Sequence, residues 1–297
     1  MTPGRRLPIL MTLGSALLWA SSFTVVKVGL RYLDPYSFVF LRFLVATGIL
    51  VAVIAARGQW REFVACARDR YAFLLGLTLA ASYGFQFVGQ VFTTASNAVI
   101  IINSSTILVA PLSYLLLKEG VGPRKLAALG LGLVGVYLIT GGWGGSEGSE
   151  AARTLKGDLL VAGSSVAYAF YVVISKIAVT RRAHREGPLI AAVFVWSLPV
   201  FAAMGLPVVA RGIEVGGRAW GAIVYLAIFC SIMPFILWTA AIRHIGALTS
   251  AIILLAELVF GVVIACAFLG ETLSAAAVTG CAMICAAIVI EGVRTRS

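Results

Sequence analysis

One acidic residue, Glu257, stands in the middle of an apolar stretch, between Ala256 and Leu258. The other acidic residues fall between such stretches or near their ends. An ionised carboxylate within an apolar helix is costly unless it is paired, protonated or hydrated. Glu257 is therefore a candidate for proton coupling or for binding a cationic group of a ligand. An internal hydrogen bond to a neighbouring helix is the structural alternative.

Aromatic and polar side chains recur at helical spacing in several apolar stretches. Trp19 shares a helix face with Ser15 and Ser22, and Tyr168 and Tyr171 occupy equivalent positions in a later stretch. Such faces are expected to line an internal pocket, although close packing through small residues is the alternative. The candidate binding residues are Trp19, Ser22, Tyr83, Gln86, Asn103, Tyr168, Tyr171 and Trp238.

Three basic residues, Lys27, Arg42 and Lys176, fall within about two turns of the ends of apolar stretches. Long basic side chains in such places are expected to extend to the lipid head groups. Arg42 lies deepest. It could bind a carboxylate or stabilise a helix end, and the structural role is favoured.

The composition excludes most soluble classes. Hydrophobic residues make up 61% of the 297 residues and charged residues only 12%, against about 25% charged in soluble domains. The net charge of +11 does not indicate nucleic-acid binding, because the basic residues lie in short loops between apolar stretches. The five cysteines show no metal-binding spacing, so neither a metal, a cofactor nor a disulfide is expected.

Ten apolar stretches are long enough to cross a bilayer, which needs roughly 20 residues per helix. They lack the strict alternation of a β-barrel. The fold predicted is therefore an all-α integral membrane protein with ten transmembrane helices. The stretches are 9–30, 36–56, 71–91, 96–117, 124–140, 157–178, 189–210, 219–241, 247–269 and 274–291.

A glycine- and serine-rich linker at 141–156 divides the chain into units 1–140 and 157–297 of five stretches each. The two units repeat each other. Lys27 and Lys176 are 149 positions apart, as are the aromatic faces, and Glu119 and Glu271 are 152 apart. At that second offset Ser105 corresponds to Glu257, so the carboxylate breaks the repeat.

An odd number of helices per unit requires the second unit to enter the membrane from the opposite side. With the N-terminus inside, cytoplasmic segments would hold 15 Lys and Arg residues and outer segments 5. This bias predicts that both termini are cytoplasmic. Two inverted five-helix repeats are an arrangement typical of secondary transporters.

The chain resembles the drug/metabolite transporter superfamily, specifically the EamA-type carriers, over nearly its whole length. The resemblance rests on the duplicated unit and on three sequence segments: 18–23 followed by Lys27, Asp34-Pro35 with 41–43, and the endings 111–119 and 263–271. It implies a bacterial inner-membrane exporter of amino acids, related metabolites or toxic compounds. It also implies that Trp19, Tyr83 and Tyr168 line a central cavity between the halves.

The function expected is secondary transport, most simply export of a small metabolite such as an amino acid, by alternating access of two inverted repeats. A proton-coupled multidrug or toxic-compound exporter using Glu257 is the alternative. An enzyme or a channel is disfavoured, because the sequence carries no catalytic motif and no filter-like loop. The partners expected are a small-molecule substrate and the lipid bilayer, with no nucleic acid, and we expect the monomer to be functional.

Overall fold

The computed structural model describes residues 3–29, 32–93, 95–142, 155–182, 184–212, 215–269 and 274–292. These residues form helices joined by short turns, and no strand occurs among them. The linker expected at 141–156 lies mostly outside this set.

The described residues of the first half form seven α-helices. The eight-residue α3 was not predicted, since it is too short to span a bilayer. The helices are α1 (Pro3–Gly29), α2 (Pro35–Ala56), α3 (Trp60–Ala67), α4 (Arg70–Gln90), α5 (Ala95–Asn103), α6 (Ser105–Leu112), which continues as a π-helical segment (Ser113–Leu117), and α7 (Pro123–Gly142).

The described residues of the second half also form seven α-helices, and the ninth apolar stretch is broken much as the fourth is. The helices are α8 (Leu155–Arg181), α9 (Glu186–Val209), α10 (Gly217–Ala227), joined by a π-helical segment (Ile228–Ile232) to α11 (Met233–Ile242), α12 (Ala247–Leu254), α13 (Ala256–Leu269) and α14 (Ala275–Gly292).

Nine helical stretches among the described residues are long and apolar enough to cross a membrane. They run from α2 to α14 without the short α3, and α5 with α6, α10 with α11, and α12 with α13 each count as one stretch. The sequence prediction counts α1 as a tenth.

Asp caps define where two of these helices begin. The Asp34 carboxylate accepts hydrogen bonds from the backbone N–H groups of Tyr36 and Ser37, both at 3.0 Å. Pro35 stands at the first helical position, where its missing N–H costs nothing. Asp69 caps α4 in the same way through the N–H of Tyr71 at 2.9 Å.

The helices associate in two groups that do not coincide with the two halves of the chain. Helix α1 packs against α10, α11, α12 and α13 of the second half, and we call this the α1 group. Helix α8 packs against α4, α5 and α6 of the first half, and we call this the α4 group. Helix α1, the first helix of the first half, therefore packs with helices of the second half. Helix α8, the first helix of the second half, packs with helices of the first half.

Two further pairs, α2 with α9 and α7 with α14, flank these groups. Helices α7 and α14 cross at glycines. A Cβ added at Gly135 would lie 2.7 Å from the carbonyl oxygen of Gly280, and one added at Gly280 would lie 2.6 Å from that of Gly135. Only glycine at both positions allows the backbones to come this close.

Candidate functional site

A cavity of about 480 Å³ lies between the α1 group and the α4 group. Its volume is typical of a site for a small organic ligand. The resemblance implies a cavity between the halves of the chain, and in the structure both walls combine helices of the two halves. Seven of the nine candidate binding and coupling residues line it: Trp19, Ser22, Tyr83, Gln86, Asn103, Tyr168 and Glu257.

Two of the candidate binding residues, Tyr171 and Trp238, do not line this cavity. Trp238 is completely buried and its indole N–H donates to Ser250 Oγ at 2.7 Å. The Tyr171 ring stacks on Trp238, with centroids 5.8 Å apart and an interplanar angle of 17°. Direct binding of a ligand by either side chain is therefore not supported, since each is covered by the other and by its neighbours.

Aromatic side chains form part of the cavity wall. Trp19 meets Phe235 edge to face with centroids 5.2 Å apart, and Tyr83 meets Phe43 in the same way, also at 5.2 Å. Phe87, which the sequence interpretation did not select, lines the cavity beside Tyr83. The spacing of four between Tyr83 and Phe87 places them on one helix face, and this signal could have identified Phe87.

The cavity also offers polar groups to a ligand. The indole nitrogen of Trp19 is buried and has no hydrogen-bond partner among the described residues. Because a buried N–H without a partner is costly, it is a donor available to a ligand or a water molecule. Asn103 uses its amide N–H₂ on the carbonyl of Val99 at 2.8 Å, so its side-chain oxygen remains an acceptor at the wall.

Arg42 lines the cavity and also contacts the π-helical segment between α10 and α11. Pro234 has no N–H to offer the carbonyl of Cys230, four residues earlier. Arg42 Nη2 donates to that carbonyl at 2.7 Å, and Arg42 Nε donates to Ser231 Oγ at 2.8 Å. No described carboxylate forms an ion pair with Arg42. This agrees with the structural role favoured from the sequence.

Glu257 lines the cavity in the first turn of α13. Its carboxylate forms no hydrogen bond or ion pair with another residue in the described part of the chain. The helix N-terminus is a favourable place for a negative charge. Among the described lining residues, Glu257 is the one acidic residue and Arg42 the one basic residue, so the cavity presents one acidic and one basic group.

The cavity reaches one end of the helices. Its lining includes Val26 near the end of α1, Pro35 at the start of α2, and Gln90 and Val91 at the end of α4. Gln90 and Val91 are exposed. The opposite end, where α11 turns into α12, is closed by buried side chains, with Leu248, Ile252 and Ile242 fully buried.

Lys176 does not extend to the lipid head groups as expected from the sequence. Its ammonium donates to three backbone carbonyls at this closed end. The side chain of Lys27 lies outside the described residues.

Comparison with known proteins identifies the type of molecule to which this cavity belongs. The model of the EamA-like transporter family matches residues 6–141 and again residues 155–291. The chain belongs to the EamA-like transporter family. It is accordingly a membrane transporter, part of the drug/metabolite transporter superfamily.

Individual relatives agree with this assignment. An uncharacterized transporter of Archaeoglobus fulgidus is 32% identical over 251 residues, covering 80% of each chain. A probable amino-acid metabolite efflux pump of Salmonella typhimurium is 25% identical over 296 residues, covering 94% of this chain and 93% of the relative. A crystal structure shares the fold with a TM-score of 0.79 over 96% of both chains at 20% identity.

Proposed function

We propose that this EamA-family protein is a secondary transporter that exports a small metabolite such as an amino acid. The observation that carries the proposal is the aromatic and polar cavity between two helix groups, open at one end and closed at the other. Its 480 Å³ accommodates an amino acid with room for water. The similarity to a probable amino-acid metabolite efflux pump supports the same substrate class.

The mechanism proposed is alternating access. Ten helices would form two inverted five-helix repeats in a bacterial inner membrane, with both termini cytoplasmic and the monomer as the working unit. The interchange of helices between the α1 and α4 groups supports this arrangement, because exchanging the two halves of the chain converts one group into the other. Two equivalent groups can exchange conformations, so that each end of the cavity opens in turn.

The experiment is counterflow and efflux from proteoliposomes loaded with a panel of radiolabelled amino acids. We expect saturable release of at least one compound, absent from protein-free liposomes. Release that increases linearly with concentration and shows no competition would contradict a carrier mechanism.

A proton-coupled exporter of drugs or toxic compounds is the second candidate. The observation that favours it is the Glu257 carboxylate, which faces the cavity without a described partner. Such a group can exchange a proton with water in the cavity when the substrate leaves. Alternatively, it can bind a cationic group of the substrate directly.

Glu257→Gln distinguishes these roles. If Glu257 carries the proton, the variant should still bind substrate but should no longer respond to an imposed pH gradient. If Glu257 is a counter-charge, the variant should lose affinity for cationic or zwitterionic substrates at every pH. Glu62→Gln, in α3 near the membrane surface, is the matched control and should behave as the wild type.

A further inference from the structure

The turn between α11 and α12 is held from one side by a lysine of α8. Lys176 Nζ donates to the backbone carbonyls of Ile242 at 2.8 Å, Arg243 at 3.0 Å and Ile245 at 2.9 Å. An ammonium has three N–H donors, so these bonds use all of them. The last carbonyls of a helix have no partner within it and carry partial negative charge, which makes them natural sites for a cation.

The same turn is held at its other end by a glutamate that follows the α6 stretch. The backbone N–H of Ala247 donates to Glu119 Oε2 at 2.9 Å and Oε1 at 3.2 Å. The N-cap residue of α12 is Gly246, which has no side chain to satisfy the first N–H groups. A Cβ at Gly246 would lie 2.8 Å from Glu119 Oε2, so glycine here leaves room for the carboxylate.

These contacts join the two helix groups. Lys176 belongs to α8, and Glu119 follows the π-helical continuation of α6, so both come from the α4 group. The turn 242–247 joins α11 and α12 of the α1 group. Arg243 in this turn also donates to the carbonyl of His184 at 2.6 Å and to Glu186 Oε1 at 2.7 Å, which fixes the turn to the start of α9.

The contacts lie at the closed end of the cavity. Ala251 lines the cavity and is four residues after Ala247, a distance of about 6 Å along a helix. The stacked pair Tyr171 and Trp238 likewise joins α8 to α11. Gln90, the last residue of α4, lines the cavity and is exposed. The cavity mouth is therefore at the end of the helices where α4 finishes, opposite the turn between α11 and α12.

We propose that Lys176, Glu119 and the turn 242–247 form a latch that keeps this end of the cavity closed. The latch rests on the proposed alternating-access function. Release of the turn lets α11 and α12 move away from α8 and opens the cavity to the face at which it is now sealed. The latch uses charged side chains on backbone groups, so it tolerates variation in the turn sequence apart from Gly246 but requires the ammonium and the carboxylate.

The test is sided labelling of a cysteine at the cavity floor. Ala251→Cys is introduced into a variant in which the five native cysteines are replaced. Oriented vesicles are treated with a membrane-impermeant maleimide from one face or the other. With the latch intact, we expect labelling from the face of the cavity mouth. Lys176→Met or Glu119→Gln should increase the labelling rate from the opposite face about tenfold and decrease the rate from the mouth.

Lys125→Met is the matched control. Lys125, in the first turn of α7, donates from Nζ to the carbonyl of Gly120 in the preceding loop at 2.9 Å, so this change removes a positive charge near the same end without touching the turn. It should leave both labelling rates as in the parent. Should Lys176→Met fail to fold, as judged by its melting curve, Glu119→Gln decides the outcome alone.

The latch proposal is overturned if a folded Lys176→Met or Glu119→Gln variant shows the same labelling rates from both faces as the parent. Labelling does not require a known substrate. A protein that shows the expected shift but transports nothing in proteoliposomes would refute the proposed function and leave the latch standing. A protein that transports but shows no shift would refute the latch alone.

Discussion

The ring of Tyr171 in α8 stacks on the ring of Trp238 in α11, with centroids 5.8 Å apart and an angle of 17° between the planes. The two residues belong to different helix groups, so the stack marks where the groups meet. Tyr168, one turn earlier on α8, faces the cavity instead. One turn of α8 thus separates Tyr168, which can contact a ligand, from Tyr171, which packs on Trp238 below the cavity.

This difference predicts opposite effects for two tyrosine substitutions. Tyr168→Ala removes aromatic surface from the cavity wall and should raise the Michaelis constant for transport about tenfold, with the protein still folded. Tyr171→Ala leaves a void in a buried aromatic cluster and should cost about 3 kcal/mol of stability. Transport kinetics in proteoliposomes and melting curves in detergent measure the two effects. Equal loss of stability in both variants would contradict this division.

Arg42 should tolerate no conservative change. A lysine at this position cannot donate in two fixed directions, to Ser231 Oγ and to the Cys230 carbonyl, as the guanidinium does. Arg42→Lys should therefore lower stability by about 1.5–3 kcal/mol. Arg57→Lys, at an exposed position after the end of α2, is the control and should be nearly neutral. Similar melting temperatures for the two variants would show that Arg42 does not stabilise the π-helical segment before α11.

Two glycines of α7 should respond to alanine with opposite signs. Gly135 lies against the backbone of Gly280, so the added methyl group must push α7 and α14 apart, at a cost of about 1–3 kcal/mol. Gly130 has open space around it, and alanine there should stabilise the helix by up to about 1 kcal/mol. Thermal unfolding of Gly135→Ala and Gly130→Ala measures both. A stabilised Gly135→Ala variant would mean that the crossing is looser than described.

Asp69 should make the folding stability depend on pH under acidic conditions. Burial raises the pKa of its carboxyl group, but the N–H of Tyr71 and the charges of His184 and Arg182 outweigh burial and lower the pKa below its ordinary value of 3.8. The ionised form therefore favours the folded state above this value, and its contribution is lost as the pH falls through the lowered pKa.

The measurement is the melting temperature of the detergent-solubilised protein between about pH 3 and pH 6. The wild type should lose stability more steeply below about pH 4 than Asp69→Asn, because the variant has no carboxylate to protonate. Parallel curves for the two proteins would show that the ion pairs of Asp69 with His184 and Arg182 contribute little.

The repeat predicts a counterpart of the latch lysine. Lys27 corresponds to Lys176 at the offset of 149. If the two positions act in opposite conformations, Lys27→Met should shift labelling of the cysteine introduced by Ala251→Cys toward the cavity mouth, whereas Lys176→Met shifts it away. The assay is the sided maleimide reaction described above. A shift in the same direction for both variants would exclude opposite roles.

Nine of the ten predicted spans coincide with described helical stretches that are long and apolar enough to cross a membrane, because long apolar stretches have few alternatives there. The sequence did not predict the break between α5 and α6 at Ser104 or the matching break between α12 and α13 at Leu255. Hydropathy carries no signal for either break. At the first, the Ser104 hydroxyl donates a hydrogen bond to the backbone carbonyl of Ile101, which competes with the regular helical bonding at this point.

The candidate site was predicted in part. Periodicity identifies which face of a helix a residue occupies, and this placed Trp19, Tyr83 and Tyr168 at the cavity. Periodicity does not show whether a neighbouring helix covers a residue at its particular position along the helix. Tyr171 and Trp238 were therefore included with the ligand-binding residues although neighbouring helices cover them. Lys176 was assigned to the lipid surface for the same reason, since its carbonyl partners lie on another helix.

Because α1 and α8 are exchanged between the groups, neither half of the chain can complete its packing as a separate fragment. A fragment ending at Gly142 would keep α1 but lose α10 to α13, against which α1 packs, and a fragment beginning at Leu155 would leave α8 without α4, α5 and α6. Each fragment completes its own packing only by taking a helix from the other, as in a domain-swapped dimer. An ancestral polypeptide of one such unit would have needed a second copy to form either body of helices.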